Sequence, residues 1–380
     1  MNAQRLLATF CDLVRIDSLS REEADVAAYC KQALEKAGCL VRVDDSAAAT
    51  GSNTGNLIAY LPAKGIEEAS SGARVPTIYF SAHMDTVGPG RGVEPIIGED
   101  GILRSAGATV LGGDDKAGVA AIIEMIRALG EDSRPHPRIG VLFSTCEEIS
   151  LLGACAMDTS DFDGEPCFVL DAGGKPGSVI IGSPYHYGFT ATFTGKAAHA
   201  GILPEEGISA IALASRAVLA LELGRLDAFT TVNVGTIEGG IADNIVPETC
   251  VITGEFRTLS SERAARMQKE MEDRIRAVTE GADASVELTW LVDFEGFSRS
   301  EDDPLVRLVL EQARSLGLHA ETAFSGGGSD ANILNRKGLS PIVLGTGMTD
   351  VHSTRESLAI KDLEDLCLLS EALVYALQRQ

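Results

Sequence analysis

The sequence predicts an α/β protein in which a mixed sheet flanked by helices is interrupted by a smaller, inserted α+β domain. Three observations support this fold class. In the first half of the chain, short apolar runs typical of buried strands alternate with helical patterns. From about Ser183 the strands alternate apolar and polar residues, and after Phe297 the buried type returns. A chain of 380 residues is also long enough for two domains.

The change of pattern gives the predicted boundaries. We expect residues 1–183 to form the first part of the larger domain, residues 184–297 the insert and residues 298–380 the second part of the larger domain. Elements of the insert follow the order β-α-β-β-α-β, with helices at residues 208–223 and 262–280. This order indicates a ferredoxin-like sheet with both helices on one side. Its open edge, or the exposed face of its first helix, is a natural homodimer contact.

The larger domain begins with an amphipathic helix over residues 6–14. A second helix is predicted at residues 21–38, with Ser20 as its N-cap and Glu23 at the third position. A loose loop covers residues 64–76. The predicted strands and the buried helix of this first part cover residues 40–43, 56–61, 77–80, 119–129 (the helix), 139–143 and 167–170. The second part has a helix at residues 303–316, a glycine loop at 325–332, a buried strand at 341–345 and a terminal helix from 361.

Acidic or imidazole side chains follow three of these buried strands and precede the buried helix. They are His83, Asp85, Asp114, Glu147, Glu148 and Asp171. A second histidine, His352, follows the last strand. Because ligand sites of open α/β sheets lie at the carboxyl ends of the strands, we expect these groups to converge on one crevice.

The composition excludes several classes of partner. A formal net charge of -23 and an isoelectric point near 4.6 oppose binding to nucleic acid or to an acidic membrane surface. No apolar run reaches the length of about 18 residues that a membrane span needs. The eight cysteines form no Cys-x-x-Cys pair, so we expect buried thiols in a reducing, cytoplasmic compartment.

A mixed set of imidazole and carboxylate groups suits zinc, cobalt or manganese, and does not suit calcium or a thiolate-bound metal. Two histidines and three carboxylates are enough for two metal ions if one carboxylate bridges them. In the Glu147-Glu148 pair, adjacent side chains point in different directions. One of them can therefore bind a metal while the other accepts a proton from water.

Six motifs follow one another along the chain: His83-Met84-Asp85, Asp114-Asp115-Lys116-Ala117-Gly118, Glu147-Glu148, Asp171, the stretch Gly195-Lys196-Ala197-Ala198-His199-Ala200-Gly201, and Val351-His352-Ser353. This is the order found in the co-catalytic zinc exopeptidases, and most of the chain resembles that family. The family includes peptidase T, carboxypeptidase G, succinyl-diaminopimelate desuccinylase and aminoacylase. The second motif, together with Gly327-Gly328-Ser329-Asp330-Ala331, is most similar to the peptidase T branch.

The resemblance implies a set of metal ligands. Asp114 would bridge two divalent ions, most simply zinc, with cobalt or manganese as alternatives. His83 and Asp171 would complete one metal site, and Glu148 and His352 the other.

The resemblance also implies roles in catalysis and substrate binding. Glu147 would be the general base, and Asp85 the carboxylate that fixes His83. His199 would reach the active site of the neighbouring subunit and stabilise the oxyanion, while Asn244 and Arg257 would contact the substrate carbonyl and carboxylate.

The implied function is a metallopeptidase that hydrolyses amide bonds of short peptides, closest to a tripeptide aminopeptidase that dimerises through the insert. An N-acyl amino acid amidohydrolase or a carboxypeptidase of the same family is an alternative, because it would use the same metals and Arg257. A second alternative is a metal-dependent binding protein without catalysis. Simpler explanations also exist for single residues: Asp115 as a helix N-terminal carboxylate, His199 as a loop histidine and Asn244 as a turn former.

Overall fold

The computed structural model describes residues 1–66, 77–160, 162 and 165–378. The predicted loop at 64–76 therefore lies outside the described residues from residue 67 onward. The chain divides into two compact units. The first comprises Met1–Ile181, Arg299–Ser325 and Ser329–Gln380, and the second comprises Gly182–Ser298 with Gly326–Gly328.

The N-terminal stretch of the first unit alternates helices and strands. Its helices are α1 (Ala3–Arg15), α2 (Ala24–Lys36), α3 (Ala47–Thr50), α4 (Gly113–Glu131) and α5 (Leu152–Ala156). Its strands are β1 (Leu40–Val43), β2 (Leu57–Leu61), β3 (Ile78–His83), β4 (Pro95–Ile97), β5 (Ile102–Ser105), β6 (Ile139–Ser144), β7 (Pro166–Ala172) and β8 (Ser178–Ser183).

The second unit is the ferredoxin-like α+β fold that the sequence predicts. Its elements are β9 (Tyr185–Thr194), α6 (Ala210–Ala220), β10 (Gly224–Asp227), β11 (Thr230–Gly239), β12 (Thr249–Thr258), α7 (Ser261–Ala277), β13 (Ser285–Phe294) and β14 (Phe297–Ser298), with a short 3-10 turn at Pro204–Glu206. The sheet order is β10-β11-β12-β9-β13, and all neighbours are antiparallel. Buried side chains such as Phe193, Leu213 and Ile275 join this sheet to α6 and α7.

The C-terminal stretch returns to the first unit. Its elements are α8 (Pro304–Ser315), β15 (Glu321–Phe324), α9 (Asp330–Arg336), β16 (Ser340–Gly345), β17 (Met348–Thr349), β18 (Ser357–Ala359) and α10 (Ile360–Leu377).

The main sheet of the first unit is mixed, as predicted. Its strands lie in the order β1-β2-β6-β3-β7-β16-β8, and β15 also pairs with β8. The four central strands β6, β3, β7 and β16 are parallel to one another, so their carboxyl ends share one edge. The strands β17, β18, β5 and β4 form a separate antiparallel sheet.

Helix α4 is the most buried helix of the first unit. From Val119 to Ile126 its side chains are almost completely buried, and α1, β3 and α10 pack against it. Such a helix must lie inside the molecule, because only burial removes its apolar surface from water. No helix among the described residues combines the length and the apolar character that crossing a membrane requires.

The start of α2 differs from the prediction. The helix begins at Ala24, and Arg21 has a left-handed backbone with φ 77°. Ser20 does not cap the helix, because its hydroxyl donates to Asp85 Oδ2 at 2.6 Å. The N–H of Ala24 donates instead to the side-chain oxygen of Asn53 at 2.9 Å. A contact with a distant residue therefore replaces the predicted local one.

Candidate metal centre

The parallel strands bring the predicted ligands to one edge of the main sheet. Strand β3 ends at His83, β6 is followed closely by Glu148, and Asp171 is the last residue but one of β7. Helix α4 packs against β3 and β7 and carries Asp114 at its start. The chain places these side chains together because parallel strands all end at the same edge.

Two overlapping groups of ligand atoms result. In the first, His83 Nε2 lies 3.2 Å from Asp114 Oδ1 and 3.8 Å from Asp171 Oδ1. In the second, His352 Nε2 lies 3.2 Å from Asp114 Oδ2 and 3.0 Å from Glu148 Oε2. Within each group one atom from every residue lies within 4.8 Å of the others.

These residues fit a pair of divalent metal ions. Each group offers one imidazole nitrogen and two carboxylates, which is a donor set suited to zinc, cobalt or manganese. Asp114 belongs to both groups and turns a different oxygen toward each histidine. Such a carboxylate is able to bridge two ions.

His83 is held in the orientation that a metal ligand needs. Its Nδ1 lies 2.9 Å from the carbonyl oxygen of Asp85 and 3.5 Å from Asp85 Oδ1. A proton on Nδ1 donates to the carbonyl and leaves the lone pair of Nε2 for a metal. The nearer partner of His83 is therefore the main chain of Asp85.

The carboxylate of Asp85 has a further task. It accepts the N–H groups of Glu147 at 2.9 Å and Glu148 at 3.2 Å, together with the Ser20 hydroxyl. The N–H of Thr145 donates to Asn56 Oδ1 at 3.0 Å. Side chains from distant parts of the chain thus set the conformation of the turn that carries both glutamates.

Burial and negative neighbours raise the pKa of Glu147 well above its usual value. Loss of hydration is the largest cause, and the carboxylates of Asp330, Glu148 and Asp85 act in the same direction, while His83 opposes them. A raised pKa makes a carboxylate a stronger base, which suits a proton acceptor.

The clustered carboxylates make the site attractive to positive charge. Hydrogen bonds to Asp114 and Glu148 raise the pKa of His352 to about 10. For Asp114, burial acts to raise the pKa, but hydrogen bonds with His352 and His83 outweigh it and lower the value. The same carboxylates would attract divalent cations to these positions.

Glu356 connects the two chain segments that provide Asp114 and His352. Its buried carboxylate accepts the N–H groups of Gly112 at 2.8 Å and Asp114 at 2.9 Å. The residue follows His352 by four positions, so it links the beginning of α4 to the loop of that histidine. Asp115 acts in part as a helix cap, since its Oδ1 accepts the N–H of Gly118 at 3.1 Å.

The predicted substrate-binding residues lie in the second unit. His199 and Asn244 are exposed neighbours, because His199 bridges to Ile245 and the N–H of Ala200 donates to the carbonyl of Asn244 at 3.0 Å. The N–H of Gly201 donates to His199 Nδ1 at 3.2 Å, which leaves Nε2 directed elsewhere.

Arg257 is already partly engaged. Its Nε and one terminal nitrogen donate to Glu255 at 3.2 Å, and the other terminal nitrogen donates to the carbonyl of Gly326 at 3.0 Å. Glu255 Oε2 also lies 2.5 Å from His186 Nε2. The other ring nitrogen of His186, Nδ1, lies 3.1 Å from Asp293 Oδ2. A guanidinium carries five N–H groups, so two remain for a ligand.

Four residues with clear structural tasks at the centre were not singled out as site residues by sequence reasoning. They are Glu23, Asn56, Asp330 and Glu356, all buried. Three of them accept backbone N–H groups of the ligand-bearing segments, and Asp330 accepts the hydroxyl of Ser144 at the end of β6. Only the Asp330 motif gave a signal, as part of the glycine loop.

Comparisons with known proteins bear directly on this site. Residues 181–283 match the model of the peptidase dimerisation domain of the M20 type, and residues 65–170 match the model of peptidase family M28. The chain is 38% identical to the uncharacterized protein YqjE of Bacillus subtilis, over 96% of this chain and 95% of the relative.

Two solved structures agree with it over nearly their whole length. A tripeptidase from Staphylococcus aureus superposes with a TM-score of 0.94 and 35% identity, covering 100% of both chains. The aminopeptidase PepT of Bacillus cereus superposes with a TM-score of 0.92 and 35% identity, covering 100% of this chain and 99% of the other.

Proposed function

The chain belongs to the family of metallo-exopeptidases that includes peptidase T, and on this premise we propose that it removes the N-terminal residue from tripeptides. The observation that carries the proposal is the pair of ligand groups that share Asp114, with Glu147 next to the ligand Glu148. The tripeptidase and the aminopeptidase that it resembles support the choice of substrate.

We assign the metal ligands as follows. His83 and Asp171 would hold one divalent ion, Glu148 and His352 would hold the other, and Asp114 would bridge them. The separations among these atoms and the nitrogen and oxygen donors support this assignment. Zinc is our first choice, with cobalt and manganese as substitutes, because the same donors accept all three.

The chain's own residues then account for the proton transfers. When bound, the two ions polarise the scissile carbonyl and lower the pKa of water. Glu147 accepts the proton of the attacking water and passes it to the leaving nitrogen. Its position directly before the ligand Glu148 supports this role. Asp85 keeps both His83 and the Glu147-Glu148 turn in place.

The second unit would complete the site in a homodimer. The matched dimerisation model over residues 181–283 supports this assembly. We assign His199 to oxyanion stabilisation in the neighbouring subunit, Asn244 to the substrate carbonyl and Arg257 to the substrate carboxylate. The free N–H groups of Arg257 and the exposed position of His199 support these roles. A cytoplasmic location is also proposed, and the eight free cysteines support it.

A second activity is an N-acyl amino acid amidohydrolase or carboxypeptidase. Arg257 is compatible with it, because such substrates present a carboxylate, but tripeptides present one as well. The engagement of the guanidinium by Glu255 therefore bears equally on both activities. A binding protein without catalysis is disfavoured, because every ligand and the general base are present and the chain belongs to a peptidase family.

One experiment separates these activities. Metal-loaded protein is given an unblocked apolar tripeptide and its N-acetylated twin, with Glu147→Ala as the blank. Cleavage of only the unblocked peptide, with release of its first residue, supports the aminopeptidase. Cleavage of the acetylated peptide would move the assignment to the amidohydrolase or carboxypeptidase. No cleavage of either would contradict both.

A further inference from the structure

The buried carboxylate of Glu23 touches the turn that carries the proposed general base. Glu23 lies at the N-terminal boundary of α2, yet its side chain makes no capping hydrogen bond to that helix. The residue is 0% exposed. Its carboxylate is directed instead at Cys146, the residue before Glu147, whose N–H donates to Oε1 at 2.9 Å.

Cys146 has a backbone that needs support. Its φ is 53°, in the left-handed region that residues other than glycine rarely adopt. The buried N–H of Cys146 also needs an acceptor, and Glu23 provides it. The Glu23 carboxylate therefore satisfies the N–H of Cys146 and supports its left-handed backbone.

The surroundings of Glu23 favour a side chain that accepts hydrogen bonds at both of its terminal atoms. Oε1 also receives the N–H of Arg21 at 3.0 Å and lies 3.3 Å from the thiol of Cys146, while Oε2 receives the Ser52 hydroxyl at 2.5 Å. Hydrogen-bond donors thus face both oxygens. A carboxylate accepts at both oxygens and does so with charge, whereas an amide of the same size has a single, uncharged acceptor and holds the turn more weakly.

The same segment reaches the turn a second time. Ser20, three residues before Glu23, donates to Asp85, and Asp85 accepts the N–H groups of Glu147 and Glu148. Residues 20–23 therefore brace Cys146 directly and the two glutamates through Asp85.

We propose that Glu23 is a positioning residue for Glu147, acting through the backbone of Cys146. This inference rests on the proposed function, in which Glu147 moves the proton. Glu23 fixes the direction in which Glu147 leaves the turn. The substrate and the metal ions need not touch it.

The test is Glu23→Gln at saturating metal. A displacement of about 1 Å at a catalytic group can cost on the order of 100-fold in rate, so we expect kcat to fall by about 10- to 100-fold with KM within about twofold. A second readout does not depend on activity. In hydrogen exchange, the amides of residues 145–148 should exchange faster in Glu23→Gln than in the wild type.

Glu124→Gln is the matched control. Glu124 is also 0% exposed, and its carboxylate accepts from the N–H of Asn2 at 2.6 Å and from Arg5 at 2.7 Å. Its loss should weaken folding yet leave kcat and the exchange of residues 145–148 unchanged. If Glu23→Gln does not fold, Glu23→Asp, which withdraws the carboxylate by one methylene, is judged by the same criteria.

The outcomes are distinct. A wild-type kcat in Glu23→Gln, or a loss that Glu124→Gln shares, would overturn the inference. Should the wild type hydrolyse no peptide, the proposed function fails, and hydrogen exchange alone then decides whether Glu23 holds the turn. Unchanged exchange at residues 145–148 would overturn it in that case too.

Discussion

Asp114 divides its carboxylate between two histidines that are far apart in the sequence: Oδ1 lies 3.2 Å from His83 Nε2, and Oδ2 lies 3.2 Å from His352 Nε2. One side chain thus belongs to both groups of potential ligands. Removing either oxygen should affect both.

We therefore expect Asp114→Asn to lose bound metal and to lower kcat/KM by about 1,000-fold or more, because an amide cannot replace a bridging carboxylate. Equilibrium dialysis with zinc, followed by elemental analysis, measures the first effect. The exposed Asp100→Asn is the control. A variant that keeps two ions per chain would remove Asp114 from the bridge.

Glu147→Ala should lose activity but keep its metal. Metal content should stay at the wild-type value, since Glu147 is not an assigned ligand, while kcat falls by several orders of magnitude through loss of the general base. Tripeptide turnover and metal content are measured on the same sample. Retained turnover would exclude Glu147 from the mechanism.

His199→Ala should lower kcat by about 10- to 1,000-fold, because an oxyanion donor acts only in the transition state. Metal content should not change, since His199 lies in the other unit from the assigned ligands. Steady-state kinetics on an unblocked tripeptide give the answer. Normal kinetics would reduce His199 to a loop histidine.

Glu356→Gln should weaken metal binding without removing a ligand. The N–H groups of Gly112 and Asp114 would lose a charged acceptor, and outer partners of ligands typically contribute about 10- to 100-fold in affinity. Competition with a chelator measures the metal affinity. Glu124→Gln should leave it unchanged, and an equal loss in both variants would contradict the assigned role.

Glu255 should make the stability of the protein depend on pH in the acidic range. Its hydrogen bond with His186, opposed by burial and aided by Arg257, lowers its pKa to about 2 from 4.5. A lowered pKa stabilises the folded state above about pH 4.5, and this contribution is lost as the pH falls toward about 2.

The expected result is that Glu255→Gln destabilises the protein at pH 6 and that the difference from the wild type shrinks between about pH 4.5 and about pH 2. Denaturant unfolding at each pH measures it, with exposed Glu206→Gln as the control. A difference that does not vary with pH would contradict the ion pairs of Glu255.

The sequence was sufficient for features that leave a local pattern. Apolar runs followed by His83 or Asp171 predicted a mixed sheet, and the motifs predicted the peptidase T-like family, which the comparisons confirm. The roles of the individual residues and the domain boundaries stay predictions.

Other features could not be predicted because their partners are far apart in sequence. Ser20 reads as a helix cap, yet it bonds to Asp85, which lies 65 positions away. The Glu356 carboxylate accepts the N–H of Asp114, which lies 242 positions earlier in the sequence. The hairpin of β4 and β5 and the strand β8 were missed too. Such pairings leave no periodic pattern in the sequence, because tertiary contacts determine them.

The insert has a consequence for how this molecule tolerates change. The residues where the second unit begins and ends pair with each other, Gly182 with Ser298 and Ser183 with Phe297, in antiparallel register. The two ends are therefore about 5 Å apart, the spacing of neighbouring strands. A tight turn would span that gap, so residues 182–298 leave and rejoin the host chain at one point, and a change in the length of this segment need not alter the path of the chain on either side.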